Sequence, residues 1–154
     1  MNTSDLGKLM HMAPDFYGVV PCCEIGQFKK HDVVGLIVNT DPHDKPGQHW
    51  ICLYKKGAPL NFFDSFGREM QEFTEPFASS MKDFSSGLKV RSNHMHYQNA
   101  FTDTCGLWTL YYMLSRICEL EVFSDFTNDT VKNEIELEKR LNILFEKLRK
   151  FNDL

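Results

Sequence analysis

The stretch QNAFTDTCGLWTLYYM, residues 98–113, changes character at Cys105. Ahead of it the chain is polar and turn-like. From Cys105 onward Leu107, Leu110, Tyr111, Leu114, Ile117 and Cys118 recur at helical spacing, and Trp108, Tyr112 and Met113 make the remaining surface unusually apolar. A helix apolar on nearly every side belongs in an interior, so this segment is expected to be a buried central helix. Asp103 and Thr104 precede it, which puts Cys105 in the first turn, where unpaired amides and the helix dipole favour a thiolate. Gly106 leaves room there for a substrate backbone.

Working back toward the N-terminus, VVGLIVN (33–39) is short, apolar and rich in β-branched residues, the pattern of a buried strand. DPHDKPGQ (41–48) supplies Pro42, Pro46 and Gly47 and reads as a loop. HWICLY (49–54) and PLNFFD (59–64) are strand candidates joined by KKGA, a connection suited to a hairpin. Pairing Tyr54 with Pro59 sets His49 directly opposite Asp64, with side chains on one face. Residues from Glu69 to Met81 hold a short helix broken near Pro76, and Gly87 to Tyr97 suggest a further strand.

Toward the C-terminus a last helix is expected over about 131–151, capped by Asn128, Asp129 or Thr130. Leu137, Leu141, Leu144, Leu148 and Phe151 form its apolar stripe, with Glu134, Glu136, Lys139, Glu146, Lys147 and Arg149 facing water.

The order strand-His, strand-Asp, polar loop, Cys-helix carries more information than any one of its residues. A thiol needs a base to raise its thiolate fraction, and the base needs a carboxylate to orient its ring. His49 and Asp64 fit that pair, and Cys105 fits the nucleophile. Gln98 supplies a neutral amide donor which, with the helix-start amides, suits the oxygen of a tetrahedral acyl intermediate. The chemistry is acyl transfer.

Composition narrows the alternatives. A length of 154 residues and 42% hydrophobic content match one domain with a sizeable core, and a net charge of −4 points to no dominant field for nucleic acid or membrane. The five cysteines, with Cys22 and Cys23 adjacent, do not read as a disulfide scaffold and favour a reducing compartment. MNTSDLGKLMHM lacks the basic start and apolar core of a signal peptide, and no stretch approaches the roughly 20 apolar residues of a membrane span. His94, His96, Cys22 and Cys23 make no four-ligand zinc spacing, so no metal is expected.

GQHW (47–50), FFDSFG (62–67) and QNAFTDTCGLWTLYYM together resemble the three motif blocks of the adenovirus-type maturation proteases, the adenains, and more distantly the ubiquitin-like-protein proteases. FYGVVPCCEI and IVNTDP extend the resemblance less specifically, to about residue 120. It implies a single-domain α+β fold over residues 1–154, a central mixed sheet packed with helices, and a nucleophile at the start of the central helix. It implies catalytic roles for His49, Asp64, Gln98 and Cys105, with Trp50 and Gly106 binding substrate in a slot that favours glycine before the cut.

The function implied is a cysteine endopeptidase acting on viral or mobile-element precursor proteins, in the host nucleus, the virion or the cytoplasm. Removal of ubiquitin or a related modifier is the alternative enzyme, and a virion scaffold or peptide-binding module is the alternative without catalysis. The chemistry itself requires no cofactor. An activating peptide or DNA stays open as a partner, and a membrane does not enter.

Overall fold

The structure is a computed structural model that describes residues 15–45, 48–117 and 123–152, with the backbone alone over 147–152. Gly47 of the GQHW block, Cys118 of the central-helix stripe and the N-terminal MNTSDLGKLMHM lie outside the described residues, as do the Leu148 and Phe151 side chains.

Five strands form one mixed sheet in sequence order: β1 (Gly18–Pro21), β2 (Val33–Asn39), β3 (Trp50–Lys56), β4 (Leu60–Phe63) and β5 (Val90–Ser92). The outer pairs β1/β2 and β4/β5 are parallel and the inner pairs antiparallel. A 3-10 segment, Cys22–Phe28, connects β1 to β2, and another, Met70–Glu72, leads into helix α1 (Phe77–Ser85). Helices α2 (Cys105–Ile117) and α3 (Thr130–Asn152) follow β5. The chain is thus α+β.

Alternation along the strands divides the core between the two faces of the sheet. Ile37, Cys52, Tyr54 and Phe63 point to the face covered by α2 and α3, where they join Trp108, Leu110, Tyr111, Met113, Leu137 and Leu141. Val34, Leu36, Val38, Ile51, Leu53, Leu60 and Phe62 point the other way, toward Ile25, Phe77, Met81 and Phe84. Burial on both faces explains why β2 reads as an unbroken apolar run rather than an alternating one. Ten residues of α2 are buried, which accounts for its apolarity on nearly every side.

Three expectations change. β3 continues through Lys55 and Lys56, and the chain reverses over 57–59 with Gly57 at φ +76°. The true register pairs Tyr54 with Asn61, not Pro59, a shift of two residues. Because side chains alternate with period 2, an even shift keeps every residue on its face, so His49 and Asp64 still share one side. The expected strand over 87–97 is cut to Val90–Ser92, and the chain beyond Asn93 leaves the ladder to bond with the turn after β4. Lastly, the region from Glu69 to Met81 divides into a 3-10 turn and a helix running on to Ser85, with Pro76 as the residue preceding α1.

That turn after β4 is the FFDSFG block. Gly67 N–H donates to Asp64 O at 2.9 Å, and Gly67 holds φ +73°, a conformation L side chains rarely adopt. A Cβ there would lie 2.9 Å from the Met95 carbonyl group. Gly67→Ala should therefore lower unfolding free energy by about 1–3 kcal/mol, measured as a urea-midpoint shift. Gly26→Ala, where a Cβ meets nothing within 4 Å, should stay within about 0.5 kcal/mol of wild type.

Candidate active site

His49 immediately precedes β3 and Asp64 immediately follows β4, so two adjacent antiparallel strands deliver them to the same end of the sheet. His49 Nε2 lies 2.5 Å from Asp64 Oδ1. The other oxygen, Oδ2, accepts from Arg68 Nε at 2.8 Å and from the Arg68 backbone N–H at 3.1 Å. Asp64 is 0% exposed. Burial alone would push its carboxyl up, but the bonds from His49 and Arg68 outweigh burial and hold it below its ordinary value.

The imidazole stacks near Phe66 at 5.3 Å and Phe73 at 6.4 Å between centroids. Arg68 lies over the Phe73 ring at 4.3 Å. The sequence singles out none of Phe66, Arg68 and Phe73 as functional. The cue for Arg68 was its place four residues after Asp64, across a turn closed by Gly67.

Cys105 opens α2: Trp108 N–H donates to Thr104 O at 3.0 Å, the first bond of the helix. The groups that act on its thiol are the His49 imidazole and the backbone amides of Trp50 and Gly106. With Nε2 engaged by Asp64, Nδ1 is the ring nitrogen left for the thiol. Burial pushes the Cys105 thiol up, yet the His49 contact and these amides prevail and lower it below 9.0. His49 moves the opposite way. Burial disfavours its charge, but Asp64 and Cys105 together raise it above 6.5.

Those two directions favour a thiolate–imidazolium pair. By contrast, the fully buried Cys52 is pushed well above 9.0 by burial, and its thiol is 3.1 Å from Thr109 O. Burial also raises Cys22.

Gln98 is placed through its neighbours. Its Oε1 accepts from Ser65 Oγ at 2.6 Å, its Nε2 donates to Thr102 O at 2.7 Å, and its backbone N–H donates to Ser65 O at 3.1 Å. Ser65 follows Asp64, and Thr102 lies three residues before Cys105, so the amide is tied to both halves of the cluster. Trp50 lines a groove with Val19, Pro21, Asn39, His43 and Lys45, while His49 and Arg68 line another with Asp41, Gln48 and Phe73. A larger groove beside α1, lined by Met70, Gln71, Ala78, Ser79 and Lys82, includes none of the cluster. Gly106 is buried in the first turn. Among the described residues no group of three or more His, Cys, Asp or Glu is placed to hold a metal ion, and no helix is long and apolar enough to cross a membrane.

This fold and cluster define an α+β chain with a Cys-His-Asp constellation, and by sequence it is a distant relative of the adenovirus-type proteases. It is similar to the protease of bovine adenovirus 4, 24% identical over 118 residues, and to that of ovine adenovirus D serotype 7, 23% identical over 115 residues. Each match spans 68% of this chain and 57% of the relative, so the chain covers little more than half the length of the curated relatives it matches. No protein-family model matches. Among solved structures, the central domain of an uncharacterized Legionella pneumophila protein, Lpg1148, is similar in fold at 16% identity and a TM-score of 0.56, over 97% of this chain and 94% of that one.

The pKa directions set the pH dependence of thiol alkylation. A lowered thiol means thiolate reactivity that rises with pH through an inflection below 9.0. That inflection belongs to the coupled pair rather than to Cys105 alone. His49→Ala should move it upward toward an ordinary thiol and cut the alkylation rate at about pH 6 by about tenfold or more. Rates measured with iodoacetamide and mapped to Cys105 check this.

A second measurement concerns Asp64, whose carboxyl is held below 3.8. Its stabilising contribution is fully present above that value and is lost as pH falls through the folded-state value. Asp64→Asn should flatten the acid limb of stability, seen by comparing urea midpoints across that window.

Proposed function

We propose that the chain is a cysteine endopeptidase with Cys105 as nucleophile, His49 as acid and base, Asp64 as the orienting carboxylate and Gln98 as an oxyanion donor. The 2.5 Å contact between His49 and the buried Asp64, with His49 acting in turn on the thiol of the helix-start Cys105, carries this reading. The thiolate attacks the scissile carbonyl carbon, and the C=O electron pair moves onto oxygen. That oxyanion takes hydrogen bonds from the Cys105 backbone N–H, one of the helix-start amides without an intrahelical partner, and from the second Gln98 Nε2 proton.

Collapse breaks the C–N bond as His49 Nδ1 gives its proton to the leaving amine. Water then attacks the thioester, His49 takes the water's proton, and the carboxylate product departs as the thiolate re-forms. Only the chain's own groups take part, so the chemistry needs no cofactor. An activating peptide or DNA would bear on how readily the site assembles.

The curated relatives are viral proteases, which supports precursor proteins of a virus or a related mobile element as substrates, met in the nucleus, the virion or the cytoplasm. Trp50 beside the base and Gly106 beside the nucleophile favour glycine before the cut, since glycine lets an extended backbone pass an aromatic wall without a Cβ clash.

Cleavage of matched peptides ending in Gly-Gly, Ala-Gly, Gly-Ala and Leu-Leu before a common leaving segment tests both parts. Gly-Gly should give the highest kcat/KM, Cys105→Ala should abolish cleavage, and equal cleavage after leucine would remove the slot. Gln98→Ala should lower the acylation rate by about 100-fold with substrate affinity retained. Cleavage of a modifier fusion in preference to every peptide would move the assignment to a modifier protease. A folded protein whose Cys105 resists both peptide and electrophile would leave a binding module.

A further inference from the structure

Glu134 was expected to face water on the last helix, and the structure corrects this. In the first turns of α3 its Oε1 accepts from Asn99 N–H at 3.0 Å and Thr104 Oγ1 at 2.7 Å. Thr102 Oγ1 lies 2.9 Å from the same oxygen and 2.9 Å from Asn99 O, so its one proton is divided between them. Trp108 Nε1 completes the set at 3.4 Å. One carboxylate oxygen therefore gathers the whole segment between Gln98 and Cys105. Next to it, Asn133 Nδ2 donates to Tyr97 O at 3.3 Å, so α3 also holds the residue before Gln98.

We infer that Glu134 is a positioning residue for acyl transfer: it sets the oxyanion site by fixing Thr102, whose carbonyl orients the Gln98 amide. This rests on the peptidase reading. The segment 99–104 has few other anchors. Thr102 N–H donates to Asn99 O and Phe101 N–H to Asn99 Oδ1, both bonds within the segment itself. Without the carboxylate the loop keeps its internal bonds and loses its tie to α3. Charge-assisted bonds are roughly twice as strong as neutral ones, which suits an acid more than an amide at this position.

Formation of the thiolate depends on different groups, His49, Trp50 and Gly106. Glu134 should thus act on acylation and leave thiol reactivity alone.

The test is single-turnover acylation with a Gly-Gly peptide ester, alongside iodoacetamide alkylation of Cys105 across pH, in a double-mutant cycle with Gln98→Ala. Glu134→Ala should slow acylation by about 10- to 100-fold, with substrate affinity and the alkylation inflection unchanged. In the Gln98→Ala background it should cost less than about threefold, because the group it positions is gone. Glu134→Gln keeps an acceptor oxygen and should recover most of the rate. If Glu134→Ala does not fold, Glu134→Asp, which withdraws the carboxylate by one methylene, should give the same pattern. Undiminished acylation, an equal loss in both backgrounds, or a parallel loss of alkylation would each overturn the inference while the peptidase reading stands. A wild-type protein that acylates no peptide overturns both.

Discussion

The structure around the site depends on keeping one buried carboxylate ionised. Asp64 has no exposed surface, and a charge removed from water is tolerated only when its lone pairs are occupied by strong donors. Each oxygen has one: His49 on Oδ1, Arg68 on Oδ2. Bringing both to the same residue requires the strand to end at Phe63 and the chain to fold back tightly enough for Arg68 to return. The left-handed Gly67 makes that return, and Asn93 secures it by accepting from Asp64 N–H at 2.9 Å and donating to Asp64 O at 2.7 Å. The shortness of β5 follows, since the chain beyond Asn93 turns its polar groups to the turn rather than to β4.

Electrostatic tuning then passes outward from Asp64. The carboxylate favours a charged imidazole, and the imidazole favours a charged thiol. Helix α2 adds its part through position, because its buried sides fix where the first turn lies and hence where Cys105 points. The contact between Cys52 and Thr109 O secures α2 on β3, the strand that begins at Trp50 directly after His49. Two cysteines on the α2 side of the sheet thus have opposite fates. Burial suppresses the ionisation of Cys52, whereas for Cys105 the His49 imidazole and two backbone amides outweigh burial and lower the thiol.

Much of this was legible in the residues because it was carried by periodicity and local order. β2 was read with its observed bounds, α2 was placed from the apolar spacing after Cys105, and the face shared by His49 and Asp64 survived a register error of two because period 2 is indifferent to even shifts. What could not be read were contacts between segments distant in sequence or set by turn geometry. Arg68 looked like an ordinary charge after a turn. Phe66 and Phe73 carry no functional signal in the sequence, and only the fold brings them alongside an imidazole. Glu134 lay among charges at helical spacing, where the pattern gives a polar face but not what that face meets. The strand expected over 87–97 failed for a related reason: alternation registers the chance to pair, but Asn93 and the backbone beyond it bond to a turn.

The division of labour that results is physical rather than sequential. Groups that ionise the thiol come from β3, the turn after β4 and the start of α2, and they are coupled by charge over single contacts. Groups suited to receiving an oxyanion come from a loop with little apolar surface of its own, since Asn99, Thr102, Asp103 and Thr104 are polar and Phe101 is 98% exposed. Such a loop gains little from hydrophobic burial and must be fixed by directional bonds. Ser65 supplies them from the sheet side and Glu134 from α3. A hydrogen bond loses most of its worth with a small displacement, so an arrangement held this way is responsive to the seating of α3 in a manner the thiol and imidazole are not. The buried Leu137 and Leu141, by anchoring α3 against the core around α2, therefore bear on the geometry of the oxyanion loop through Glu134, although neither is near the reacting sulfur in sequence.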